Sequence, residues 1–96
     1  MITMDKKMLD RRPTHPGEVL REEFLKPLGL SQTGLAREIG VSFRAINEIV
    51  NEKRGISAEM AIKLARRFGT TPEFWLNLQM KYELWKAAQK VELATA

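Results

Sequence analysis

Apolar residues recur at helical spacing in five separate stretches of the chain, each opened by a capping residue type or a proline. No stretch alternates with the period of two that a half-buried strand requires. In the first, Pro16 suits a first helical position, Val19, Leu20 and Phe24 share a side, and Glu18, Glu22 and Glu23 crowd the N-terminal end. This predicts helix 1 over about Glu18 to Lys26, stopped by Pro27 and Gly29. Ser31 caps helix 2, which turns Leu35, Ala36 and Ile39 inward and closes on Gly40 in a left-handed position. After Val41, Ser42 caps helix 3, from Phe43 to about Asn51, and a Lys53–Arg54–Gly55 loop follows. Ser57 caps helix 4, with Met60, Ala61, Leu64, Ala65 and Phe68 inward and Gly69 closing it. Thr71 and Pro72 open helix 5, which continues to about Lys90. Residues 1–14 carry no periodicity and are broken by Pro13, so they read as a mobile arm; residues 15–90 form one domain, and 91–96 a small-residue tail. The expected fold class is all-α, with five helices and an extended C-terminal one.

Helices 2 and 3, separated only by Gly40–Val41–Ser42, make a tight corner between Ser31 and Asn51. Gly40 supplies the positive φ, Ala36 the small side chain where the helices meet, and Val41 and Ile46 the plug inside the corner. At 100° per residue, Ala45, Ile46, Ile49 and Val50 share one side of helix 3, while Phe43, Arg44, Asn47, Glu48 and Asn51 share the other. In a helix-turn-helix the exposed side of the second helix enters the major groove, its N-terminal residues leading. Arg44 suits the O6/N7 edge of guanine and Asn47 the N6/N7 edge of adenine. Ser42 and Asn51 bound this reading side. Gln32, at a helix N-terminus, is placed for a backbone phosphate, and Lys53 and Arg54 for the flanking backbone. Plain readings stand beside these. Two-helix corners occur in proteins that never meet DNA; Phe43 is either laid against a thymine methyl or a core or partner contact; Arg44 is either a base reader or a solvated surface charge; Glu48 either accepts from cytosine N4, or repels mismatched phosphate placement, or is a solvated helix residue; and Lys53–Arg54 is either a clamp or a polar loop.

Helix 5 carries two apolar sides. Phe74, Trp75, Leu78, Tyr82 and Trp85 form one, which the indoles mark as the core side; Leu76, Met80, Leu84, Ala87 and Val91 form the other. One small core needs a single stripe, so Leu76, Met80 and Leu84 are expected to build a homodimer. The competing reading wraps both sides within one chain.

The charge changes this picture little. The chain of 96 residues has 16 Lys and Arg against 12 Asp and Glu, a net +4, with the excess in the first two-thirds of the sequence. That bias suits a polyanion without demanding one. At 44% hydrophobic and 29% charged, the composition is globular, and no apolar run approaches a membrane span. The charged N-terminus lacks the apolar core of a secretory signal. There is no cysteine and a single histidine, His15, whose place before Pro16 marks a helix entry rather than a metal ligand or a catalytic base. With no phosphate-binding glycine loop either, neither an enzyme nor a cofactor is expected.

The run Gln32-Thr-Gly-Leu-Ala-Arg-Glu-Ile-Gly-Val-Ser resembles the helix-turn-helix of phage Cro/C1-type repressors. Three further segments are similar to the HigA (VapI-like, addiction-module antidote) antitoxins: His15-Pro-Gly-Glu-Val-Leu-Arg-Glu-Glu-Phe-Leu, Ile46-Asn-Glu-Ile-Val-Asn-Glu-Lys-Arg-Gly-Ile-Ser and Thr70-Thr-Pro-Glu-Phe-Trp-Leu-Asn-Leu-Gln. Together they span about residues 13–85. The resemblance implies a lambda-repressor-like fold and a cytoplasmic bacterial antitoxin that pairs with a HigB-like, mRNA-cleaving toxin. It also implies a homodimer that represses its own operon by binding operator DNA. The alternatives are a stand-alone regulator of the same fold and an interaction module that no longer binds DNA.

Overall fold

The computed structural model describes residues 11–95, with side chains as far as Glu92. Among them the structure is entirely helical. Helix α1 is continuous but built in three segments, an α-helical Pro16–Val19, a π-helical Leu20–Leu25 and an α-helical Lys26–Leu28. It is followed by α2 (Gln32–Ile39), α3 (Phe43–Val50), α4 (Ala58–Phe68) and α5 (Pro72–Thr95).

Two boundaries differ from the sequence expectation. Pro27 does not stop helix 1. In regular α geometry its ring would strike the carbonyl four residues back, but the chain widens ahead of it, and the Lys26 N–H reaches to the Arg21 carbonyl. The helix then ends at Gly29, at φ 62°, where Leu30 N–H bonds to Leu25 O at 2.9 Å and Gly29 N–H to Lys26 O at 3.1 Å. Helix 5 does not end near Lys90 either; residues 91–95 continue it, because Ala and Leu extend a helix readily and no Gly or Pro interrupts. Of the expected arm, residues 1–10 lie outside the described residues, as does Ala96. Its end is anchored: Arg12 pairs with Glu52 and lies 5.4 Å over the Tyr82 ring.

The expected serine caps all form. Ser31 Oγ accepts from Gly34 N–H at 2.9 Å, Ser42 Oγ from Ala45 N–H at 3.1 Å and Ser57 Oγ from Met60 N–H at 3.1 Å. His15 takes the same role for α1, Nδ1 accepting from Gly17 N–H at 2.9 Å.

The core sits where α1, α2, α3, α4 and the start of α5 converge, around the fully buried Leu20, Leu35, Ile46, Ile49, Leu64 and Trp75. Trp75 stacks within 5.3 Å of Phe24 and 6.5 Å of Phe68, and its indole N–H donates to Thr70 Oγ1 at 2.8 Å, so the ring is buried without an orphaned donor. Each of these large side chains contributes about 1.5–3 kcal/mol through burial. At 24 residues, α5 runs beyond this core, and the molecule extends 46 Å along one axis against 24 and 23 Å on the others. No helix is long and apolar enough to cross a membrane among the described residues.

Candidate nucleic-acid interface

The corner between α2 and α3 is built as its sequence requires. Gly40 sits at φ 70°, Val41 N–H closes onto Ala36 O at 3.0 Å, and Ala36 and Ile46 are buried in the angle. The inward face of α3 is Ala45, Ile46, Ile49 and Val50, all buried. Phe43, Arg44 and Asn51 are exposed, with Asn47 and Glu48 half-buried beside them.

Helix α1 fixes how α3 is presented. Gly17 lies so close to the end of α3 that a Cβ there would come within 1.8 Å of Ile49 O. Arg21 Nη1 donates to Val50 O at 3.1 Å, satisfying one of the carbonyls that a helix C-terminus leaves unpaired. On the far side, Ile56 N–H donates to Gln79 Oε1 at 2.7 Å, tying the loop after α3 to α5. Sequence reasoning missed Arg21 and Gln79, since each acts on a backbone group more than twenty residues away and no local pattern marks it.

The outward face carries a connected amide chain. Asn47 Nδ2 donates to Gln32 Oε1 at 3.1 Å, and Asn51 Nδ2 donates to Asn47 Oδ1 at 3.2 Å. These bonds fix the Asn47 amide while leaving it one N–H and one lone pair, the pair that a bidentate contact with adenine uses. Gln32 therefore supports α3 as well as standing at the α2 N-terminus. The Ser42 hydroxyl is occupied as a cap acceptor, which leaves its own hydrogen for a phosphate. Phe43 is 51% exposed, which overturns the core reading of this residue and leaves a base or partner contact. The two oxygens of Glu48 lie against Arg54 (2.7 Å) and Arg44 (3.7 Å). Lys53 and Arg54 are exposed in the loop immediately after α3, which Glu52 turns at φ 60°.

The remaining expected residues lie elsewhere. Of the α5 stripe, Met80 and Leu84 are 52% and 58% exposed, but Leu76 is half-buried against the core and contributes to packing within the chain. His15 is buried, edge-on to Tyr82 at 4.7 Å between ring centres. Burial, together with the neighbouring Arg12 and Lys86, pushes its pKa below the ordinary value, against the opposing pull of Glu52 and Glu18.

A family profile described as helix-turn-helix matches residues 22–75, which contain this whole corner and the loop after it. The chain is 40% identical over 82 residues to antitoxin HigA-1 of Vibrio cholerae, covering 85% of this chain and 77% of that one. The chain belongs to the HigA family of helix-turn-helix antitoxins. A further relative, virulence-associated protein I of Dichelobacter nodosus, is 55% identical over 75 residues, covering 78% of this chain and 69% of its own. Among solved structures, Pseudomonas aeruginosa antitoxin HigA with the higBA promoter superposes with a TM-score of 0.84 at 49% identity, covering 88% of this chain and 91% of that one. The HigA family is one of DNA-binding regulators and antitoxins, not of enzymes.

Proposed function

We propose that this protein is the antitoxin of a toxin–antitoxin pair and represses its own operon as a dimer on operator DNA. The observation that carries the DNA half is the outward face of α3. It presents Arg44 and an Asn47 amide fixed by Gln32 and Asn51, with Lys53 and Arg54 directly beyond. Arg44 and Asn47 read base edges, while Gln32, Ser42, Lys53 and Arg54 hold phosphates. Dimerisation is assigned to the exposed Met80 and Leu84 of α5, with Leu76 supporting that helix from beneath. The solved HigA relative in its promoter-DNA structure supports the operator target. The toxin half rests on family membership: the partner is a HigB-like nuclease of messenger RNA, encoded beside this chain and acting in the bacterial cytoplasm.

The test has two arms in growing cells. Inducing the neighbouring gene alone should arrest growth, and co-expressing this chain should restore it. A reporter driven by the chain's own promoter should fall when the chain is supplied. Repression without any rescue from a toxic neighbour would leave a stand-alone regulator, and rescue without repression would remove the operator assignment.

A further inference from the structure

We propose that Glu48 is an internal counter-anion of the DNA-reading surface, one that discourages binding to random sequence while aiming Arg44 at its base. This rests on the reading of α3 and its following loop as the DNA-contacting face.

The Glu48 side chain is 25% exposed, on the same helix face as Arg44 and facing the loop that carries Arg54. Its Oε1 lies 2.7 Å from Arg54 Nη2, yet that oxygen is shut off from solvent and no hydrogen bond is aligned on it. The contact is thus a close ion pair on a carboxylate largely withdrawn from solvent. Arg54 is consequently matched to a carboxylate in the unbound protein. A DNA phosphate that takes Arg54 exchanges one anion for another and brings its charge close to that carboxylate. On random sequence nothing offsets the exchange, because non-specific binding is almost wholly a phosphate effect.

Arg44 is held differently. Its Nε lies 3.7 Å from Glu48 Oε2, one helical turn along, and the side chain is 83% exposed. That leaves both Nη groups for the paired acceptors O6 and N7 of a guanine. On the correct sequence, therefore, the same carboxylate that repels phosphate steadies the base-reading guanidinium. The two effects of Glu48 have opposite signs on the two kinds of DNA, and a residue with a merely structural role would not separate them.

Glu48→Gln keeps the shape and removes the charge. The full-length variant and the parent are titrated with two duplexes of equal length, one carrying the promoter upstream of the gene and one of random sequence, and thermal melts establish that both proteins are folded. The variant should bind the random duplex about threefold to tenfold more tightly, the size of one like-charge repulsion at ~4 Å in a wet dielectric. It should gain nothing on the promoter duplex, so the ratio between them falls. In an Arg54→Ala background the tightening on random DNA should shrink. Random binding that is unchanged or weaker in Glu48→Gln, or an equal gain on both duplexes, overturns the proposal alone. A parent protein with no preference for the promoter duplex removes the underlying reading, and this proposal with it.

Discussion

Arg44 and Lys53 sit less than ten residues apart, yet they occupy different places on the proposed DNA-contacting face. Arg44 projects from the first turn of α3, where a recognition helix reaches base edges, whereas Lys53 lies in the loop that follows the helix. Arg44→Ala should cost about 1–3 kcal/mol on the operator and relax the preference at one base pair, read from a panel of single-base operator variants. Lys53→Ala should weaken every sequence alike and lower the log–log salt slope by about one. His15 gives a prediction in pH. Its folded-state pKa is lowered and Nδ1 accepts the Gly17 N–H, so the native state holds the neutral ring. The unfolded chain takes up a proton below about pH 6.5. Stability should therefore be level above that pH and fall below it, until the folded-state pKa is reached. His15→Asn retains a capping side chain and should flatten this part of the melting profile. The caps at Ser31, Ser42 and Ser57 were legible because each spans three residues. The pairing of Glu48 with Arg54 was not, since Arg54 comes from a loop whose path no periodicity describes.

Among the elements, α1 is the one whose detail the sequence hides and on which the interface depends. Pro27 reads as a stop, since the pattern assumes a constant period; the π-helical Leu20–Leu25 changes the period and carries the helix through. Upstream of Pro27, Gly17 and Arg21 lie on this same helix, which braces the C-terminal end of α3 by a hydrogen bond and by direct backbone approach. Gly17→Ala forces α1 and α3 apart, because the new methyl meets backbone rather than a movable side chain. It should lower stability by about 1–3 kcal/mol or more in a denaturant titration. It should also weaken operator binding, although Gly17 touches no DNA. The helix-turn-helix itself was readable to within a residue or two, as Gly40 and two serine caps punctuate it. The end of α5 was not, because nothing in the sequence breaks the helix after Lys90.

For the molecule as a whole, the long α5 links architecture to DNA reading. Two recognition helices reach successive major grooves only when held about 34 Å apart, which one chain cannot do alone. Met80 and Leu84 are more than half exposed on a helix that runs past its own core, and the proposed dimer would bury them against a second copy. A Met80→Glu/Leu84→Glu double variant should stay folded, sediment as a monomer and lose most of its operator affinity. A variant that still sediments as a dimer places the interface elsewhere. The two apolar sides of α5 were visible in the sequence, but that Leu76 on the second side is partly buried against the core was not. The central claim is that α3 reads a specific sequence. It is tested most directly by titrating the purified chain, at about 0.15 M salt, with a labelled duplex from its own promoter and with a random duplex of equal length. Promoter binding should be at least about a thousandfold tighter, as specific recognition requires. Equal affinity for the two duplexes would contradict it.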